Sequence, residues 1–372
     1  MGREKLGPER MEEPMRAFVI DSVGRFSIRD DVETMPIGPT DVRVKLKAAG
    51  VCRTDHSAVH GKWPTGMPCV AGHEGAGIIV EVGSEVRDRF VGQHVIIGHP
   101  QCGQCYYCAH GAHWFCDKKD LGGAHAKFRL KDGTLLKSMV GKGTWAEEML
   151  VSANAAIPCP EAVPLEIASL MACAVMTGTG QVINVARPEV GASAIFFGGG
   201  GIGACAVMGA KLAGCGAIVV VEPAREKHAA LRHFGATHVI TPDEVPDTVQ
   251  TLTDGRGFDY SFENVGRPET MRASWDATRI DGTMVVTGLG GTQGTVEFNL
   301  NELSVHGKHL IGNVAGGLVT ARDFALYCDL YLMGKLDLDS LITTRGTLDD
   351  LPEFLDALDG DPTILRQVIS FD

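Results

Sequence analysis

Ala194-Ile-Phe-Phe-Gly-Gly-Gly-Gly-Ile-Gly203 is the stretch that decides how this chain folds. A fully apolar run leads into Gly198, Gly200 and Gly203, the spacing G-x-G-x-x-G. Such a run reads as a strand buried on both faces, and the glycines permit a tight turn into a helix. A helix-like run continues through Leu212, a second apolar run covers Ala217 to Val221, and Glu222 ends it. Strand, glycine turn, helix, strand and terminal acid together read as a dinucleotide site. A pyrophosphate meets free N–H groups at the helix N-terminus, and the acid accepts hydrogen bonds from the adenosine ribose. The expected cofactor contacts are Gly198, Gly200, Gly201, Ile202, Gly203 and Glu222. The Glu222 charge opposes a 2′-phosphate and so favours NAD over NADP. Arg225, three residues on, is the feature that can accommodate that phosphate unless it is a solvated helix-face charge. A glycine-rich packing joint without ligand is the competing reading, and the strand–turn–helix context argues against it.

Outward from this stretch the two halves differ in texture. Downstream, Ala224 to Phe234 reads as a helix stopped by Gly235, and His238-Val-Ile, Phe258-Asp-Tyr-Ser-Phe and Thr283-Met-Val-Val-Thr-Gly read as strands. Alternating strands and helices imply a parallel sheet covered on both faces. Upstream, Met15 to Asp21, Asp41-Val-Arg-Val-Lys-Leu-Lys, Gly77-Ile-Ile-Val-Glu-Val-Gly and His94-Val-Ile-Ile-Gly read as short strands, several closed by glycine. A chain of 372 residues suits about two domains. The formal charge of −12 argues against nucleic acid or an anionic membrane as partner. Met1 to Pro14 is charged and lacks an apolar core, so no signal peptide is read there and a loose tail is expected. Val190 to Val221 is long enough to span a bilayer, but six glycines in its first half and Lys211 favour buried strands around a turn. Eleven cysteines in a chain of this length do not read as a disulfide framework, and a reducing cytoplasm is expected.

Cysteine spacing supplies the chemistry. Cys102-x2-Cys105-x2-Cys108-x7-Cys116 places four thiols at short loop spacing, enough to close a tetrahedral cage around zinc. An iron–sulfur reading meets the wrong spacing: the ferredoxin run has three residues before its last cysteine and a proline after it, where this chain has seven and Asp117. Cys52, His73 and Cys173 form a second group, far apart in sequence, that can supply three ligands and leave one position open, as a catalytic zinc requires. Cys69, which also precedes His73, is the alternative to Cys52. The surroundings Gly50-Val-Cys-Arg-Thr-Asp favour Cys52, with a hydroxyl at Thr54 and a carboxylate at Asp55 that can hold the second nitrogen of His73. Glu74 can act beside the ligands or as a transient ligand.

These motifs, with Gly72-His-Glu-Gly-Ala-Gly and Cys173 four residues before Thr177-Gly, carry a resemblance. The chain resembles the zinc-dependent alcohol dehydrogenases of the medium-chain dehydrogenase/reductase superfamily, from Met15 to Phe371. The resemblance implies an α/β fold: a catalytic domain on a GroES-like β-barrel (1–178) and a Rossmann coenzyme domain with a doubly wound parallel sheet (179–322), with a C-terminal return to the catalytic domain (323–372). It implies Cys52, His73 and Cys173 as catalytic zinc ligands, Cys102, Cys105, Cys108 and Cys116 as the structural zinc site, and Thr54 as the hydroxyl that passes the substrate proton. Arg53 and Arg366 match pyrophosphate contacts, Lys227 an adenosine-side lysine and Thr177 a nicotinamide-side threonine.

Two positions depart from the family. Ser57 stands where many relatives carry a relay histidine, with His56 one residue earlier, so the final proton exit is left open between them or to neither. Asp120 replaces the arginine of the glutathione-dependent formaldehyde dehydrogenase branch. The implied reaction interconverts an alcohol and its aldehyde or ketone, with zinc as Lewis acid and NAD(H) as hydride carrier. Trp63 and Trp145 lie where the family lines its substrate cleft and suit a primary, apolar or aromatic alcohol, unless they are core tryptophans. The alternatives are a polyol or sugar dehydrogenase, a thiol-dependent formaldehyde dehydrogenase, and a non-catalytic nucleotide-binding zinc scaffold, which the intact ligand trio opposes. A homodimer paired through Rossmann sheet edges is expected, with a tetramer as the alternative.

Overall fold

The computed structural model describes residues 13–119, 125–291 and 294–372. Asp120 and most of the charged N-terminal segment lie outside the described residues.

The first strand, Met15–Ser22, shows why this half forms a barrel. Both of its faces are apolar: Ala17 and Val19 enter one core with Val32, Val44 and Phe128, while Phe18 and Ile20 enter another with Val59, Trp145 and Leu351. A strand buried on both sides needs sheet closing around it, and alternation at period two divides its residues between the cores. The barrel runs Met15–Ser22, Arg25–Thr34, Ala126–Leu130, Leu135–Ser138, Cys69–Val70. A neighbouring seven-stranded sheet centres on Asp41–Val51, which pairs antiparallel with Ala76–Val82, Glu148–Ser152 and the final strand, Arg366–Ser370. Gln367 lies opposite Val51, so the chain's end sits beside Cys52.

The six-stranded parallel sheet has the order His238–Ile240, Ala217–Val221, Ser193–Phe197, Phe258–Glu263, Thr278–Val286, His309–Gly312. Strand order reverses on either side of Ser193–Phe197, which opens a crevice at the carboxyl edge where dinucleotides bind in doubly wound sheets. Phe197 is level with Val221 and Glu263, so Gly198, Glu222 and Asn264 all emerge at that edge. Two elements begin more than one residue from their expected starts. The α-helix starts at His228 after a 3₁₀ turn, because Glu222 holds the Ala224 N–H and keeps Ala224 extended. Strand Thr278–Val286 begins upstream of Thr283.

A long helix, Leu165–Ala186, shows no apolar stripe in its sequence because it is covered on most sides. It is apolar enough to cross a membrane by composition, yet its apolar window is 83% buried within the protein, as in a core helix. It packs against Gly201–Ala213 so closely that a Cβ on Gly178 would lie 2.3 Å from the Ile202 carbonyl oxygen.

Candidate active site

Cys52 stands where strand Asp41–Val51 turns into helix Arg53–Val59. Asp55, fully buried, does two things there. Its Oδ2 accepts the Cys52 N–H at 2.9 Å, and its Oδ1 lies 2.8 Å from His73 Nδ1. One carboxylate thus caps the helix and fixes the imidazole, leaving Nε2 free to face the cluster. Cys173 lies in a π-helical turn, Met171–Val175, within the long helix. Such turns disturb the helical ladder and recur at functional sites. Ligand atoms of Cys52, His73, Glu74 and Cys173 all lie within 4.8 Å of one another. Cys69 is not among them: it is buried in a barrel strand, where burial pushes its thiol up to about 12.

Glu74 and Arg366 complete the surroundings. Both are buried, and the Arg366 guanidinium donates to Glu74 Oε2. Glu74 Oε1 has no hydrogen-bond partner among the described residues and lies 4.0 Å from His73 Nε2. Gly50 leaves the room for this carboxylate, since a Cβ there would lie 2.0 Å from Glu74 Oε2. The Cys52 thiol is held well below its usual range, first by its contact with Cys173 and against the effect of burial, with His73 and Arg366 adding to the effect. Burial opposes charge on His73, but Asp55 and Cys52 outweigh it and raise its pKa to about 10. Two sulfurs, an oriented imidazole and an orphaned carboxylate oxygen form a donor set that suits a zinc ion. Thr54 Oγ1 is 3.8 Å from Cys52 Sγ, at the rim of the cluster.

The second cluster is made differently. The sulfurs of Cys102, Cys105, Cys108 and Cys116 lie within 4.8 Å of one another. Backbone N–H groups point at them: Cys105 N to Cys102 Sγ at 3.3 Å, and Cys102 N and Lys118 N to Cys116 Sγ at 3.4 Å. The backbone amides of Gln104 and Cys105 hold the Cys102 thiol down to about 6, while burial and the neighbouring sulfurs of Cys105 and Cys116 push Cys108 up to about 12.

At the carboxyl edge of the parallel sheet, Glu222 accepts Gly199 N–H at 2.8 Å through Oε2 and Ala224 N–H at 3.0 Å through Oε1. It therefore braces the glycine turn, a role its position in the sequence did not reveal. Gly203 fits because a Cβ there would lie 2.0 Å from Gly198 O. A Cβ on Gly200 would meet nothing within 4 Å, so this turn faces the open cradle that a pyrophosphate needs. A Cβ on Gly201 would lie 2.3 Å from Arg366 Cδ, so Arg366 reaches from Glu74 to the glycine turn. Arg53 is exposed and pairs with Asp359 and the Leu358 carbonyl; His56 Nε2 lies 3.0 Å from Asp359 Oδ2. Thr177 is buried in the long helix, Ile202 is half-buried, and Lys227 is half-buried with its charge acting on Asp361.

The two tryptophans separate. Trp145 is fully buried, donates Nε1–H to Gly50 O at 3.1 Å and packs edge-on against Phe18. It is a core tryptophan, and the expectation that it lines a substrate cleft is corrected. Trp63 is partly exposed and rests on the cluster containing Val59 and Cys69.

Sequence reading missed two features. A buried polar chain runs from Asn313 Nδ2 to Thr287 Oγ1 at 2.9 Å, from Thr287 Oγ1 to Gln181 Oε1 at 2.7 Å, and from Gln181 Nε2 to Asn264 Oδ1 at 2.9 Å. It ties the Cys173 helix to the ends of three strands. The other is Lys142, buried beside His73. Neither belongs to a motif, and lone polar residues in sequence carry no sign of such meetings.

A barrel domain bearing a cysteine–histidine cluster, joined to a Rossmann domain, defines a zinc-dependent dehydrogenase of the medium-chain type. Family models agree: residues 38–161 match the alcohol dehydrogenase GroES-like domain, and residues 201–331 match the zinc-binding dehydrogenase domain. The chain is 36% identical over 334 residues to putative alcohol dehydrogenase D of Mycobacterium tuberculosis, covering 87% of this chain and 91% of that one. It is 34% identical over 357 residues to alcohol dehydrogenase class-3 of Drosophila melanogaster, covering 92% and 93%. The crystal structure of benzyl alcohol dehydrogenase from Acinetobacter calcoaceticus superposes with a TM-score of 0.89 at 27% identity, covering 97% of this chain and all of that one. The chain belongs to the zinc-dependent alcohol dehydrogenases of the medium-chain dehydrogenase/reductase superfamily, and is an oxidoreductase acting on small-molecule alcohols.

Proposed function

We propose that this chain interconverts a primary, apolar or aromatic alcohol and its aldehyde with NAD(H), using one catalytic and one structural zinc. The observation that carries the reading is the Cys52–His73–Glu74–Cys173 cluster, with Arg366 spanning from Glu74 to the glycine turn. Cys52, His73 and Cys173 would hold the catalytic zinc, and Cys102, Cys105, Cys108 and Cys116 the structural one. When bound, zinc supplies Lewis acidity toward the substrate oxygen and NAD supplies the hydride acceptor.

The chain's own residues do the rest. Asp55 holds His73 in one tautomer and orientation. Thr54, at the rim of the cluster, takes the alcohol proton and passes it outward. The backbone from Gly198 to Gly203 cradles the pyrophosphate, with Arg53 and Arg366 as cationic flanks. Glu222 and Lys227 face the adenosine side and Thr177 the nicotinamide side. Asn264 Nδ2 and Asn313 Oδ1 are buried and have no hydrogen-bond partner among the described residues, a donor and an acceptor at the sheet edge that suit a carboxamide. A buried carboxylate at Glu222 beside Gly199 disfavours a 2′-phosphate, which supports NAD over NADP.

Trp63 is retained as a pocket wall, and the similarity to a benzyl alcohol dehydrogenase supports an aromatic substrate. The domain limits adopted are 1–178, 179–322 and 323–372, the last supported by the pairing of Arg366–Ser370 with Asp41–Val51. A cytoplasmic homodimer is proposed, supported by the edge strand His309–Gly312 with Leu310 exposed, near exposed Leu300 and Val305. A screen of primary aliphatic, aromatic and polyol alcohols, with NAD and NADP in parallel, tests the reading. An aromatic primary alcohol with NAD should give the highest kcat/KM; a polyol or NADP in that place refutes the substrate or coenzyme assignment.

A further inference from the structure

Lys142 is 1% exposed, and among the described residues no carboxylate pairs with it. Burying an ammonium without a direct counter-ion is unfavourable, so such a group persists where the surrounding structure requires it. The loop that carries it is strained as well. Val140, a β-branched residue, has φ 53°, and Gly141 and Gly143 have φ 68° and 76°. A β-branched residue in the left-handed region is an outlier that packing must enforce. The enforcement is visible. Gly143 N and Thr144 N both donate to Gly72 O at 3.1 Å, and Trp145 N donates to Ala71 O at 2.9 Å. A Cβ on Gly143 would lie 2.8 Å from Phe128.

This strained ladder delivers the Lys142 side chain beneath the loop that holds His73. Its Nζ donates to the backbone carbonyl of His73 at 3.0 Å and to that of Ile97 at 3.1 Å. Two elements are joined by one side chain: the His73–Glu74 loop and strand His94–Ile97. The same ammonium lies within electrostatic reach of Cys173, Glu74 and Asp55.

We propose that Lys142 is a positioning residue for the catalytic zinc: it pins the backbone of His73 and sets a positive charge against Cys173, Glu74 and Asp55. The inference rests on the assignment of Cys52, His73 and Cys173 as ligands of that zinc. A zinc site made of two thiolates and one imidazole is electrically neutral. Asp55 and Glu74 then leave two negative charges beside it, and Arg366 and Lys142 are the cations set against them. Removal of Lys142 should loosen one ligand and leave that charge unbalanced, with no effect on the cysteine lobe.

The test uses the wild-type chain and the variants K142M and K142R, each held against excess chelator while zinc is followed by elemental analysis. The wild type should hold two zinc ions. K142M should release one of them about tenfold faster than wild type, as for loss of other groups that orient a ligand, while the second leaves at the wild-type rate. K142R, which keeps the charge in a different shape, should fall between. With cobalt(II) replacing the labile zinc, the visible absorption band of K142M should shift, which a merely stabilising core residue would not cause. A folded K142M with wild-type release rates and an unshifted band overturns the proposal while leaving the ligand assignment intact. A wild-type chain with a single zinc overturns both.

If K142M does not fold, amine acetylation of the wild type read by mass spectrometry decides. Lys142 should be protected relative to exposed Lys62 while both zincs are bound, and labelled about tenfold faster once the labile zinc is withdrawn. Unchanged protection overturns the proposal.

Discussion

The two cysteine clusters of this chain are alike in composition and unlike in construction. The lobe draws its four sulfurs from the short segment Cys102–Cys116, at the protein's surface, and backbone N–H groups supply much of its hydrogen bonding. The other cluster draws Cys52 from a strand end, His73 and Glu74 from a loop and Cys173 from a helix, and sets three buried residues and a half-buried Cys173 among Asp55, Arg366 and Lys142. The lobe needs only its own loop to close. The second cluster exists only when barrel, long helix and final strand have docked. A metal in the lobe should therefore act on folding, and a metal in the second cluster on chemistry.

Substitutions should break this contrast in order of size. Cys173→Ala should remove one zinc and lower kcat about a thousandfold or more, since loss of a Lewis acid is worth several kcal/mol. The lobe zinc and NADH binding should remain, as seen by elemental analysis and fluorescence titration. Near wild-type turnover would refute the assignment. Asp55→Asn comes next: the imidazole loses its charged partner, and zinc affinity at that site should fall about 10- to 100-fold with the lobe unaffected. Cys105→Ala should do the opposite, lowering the melting temperature by about 10 °C in calorimetry while the surviving folded fraction keeps its turnover. Equal effects of Cys105→Ala and Cys173→Ala on kcat would erase the distinction between the clusters.

Smaller effects sharpen the comparison on the coenzyme side. Gly203→Ala forces a Cβ onto Gly198 O and should weaken NADH binding by distorting the turn. Gln181→Leu breaks the buried chain from Asn264 to Asn313 and should destabilise by about 1–3 kcal/mol in denaturant unfolding. A Gln181→Leu chain as stable as wild type would show that this network is dispensable.

How much the sequence revealed follows from the same contrast. The lobe cysteines and the glycine turn were legible because their partners are close in the chain or follow a strand–turn–helix pattern. Ala217–Val221 and His238–Ile240 have the same bounds in the sequence and in the structure, since an apolar run between turns has sharp edges. Helix Leu165–Ala186 is not legible in the sequence, because burial on most sides removes the polar stripe that marks a helix. Trp145 is ambiguous in the sequence for a related reason. An aromatic near a cleft and one under it look alike until the Gly50 carbonyl and Phe18 are seen against it. Lys142 is invisible in the sequence because lysine in a glycine-rich turn ordinarily faces water, whereas here the turn with Val140 at φ 53° carries it inward.

The most direct measurement is a chelator titration of the wild-type chain with zinc content, turnover and thermal stability followed together. Two zinc ions per chain should leave in two phases. The first phase abolishes turnover with little change in melting temperature, and the second lowers the melting temperature. A single zinc, or one phase in which activity and stability vanish together, would contradict it.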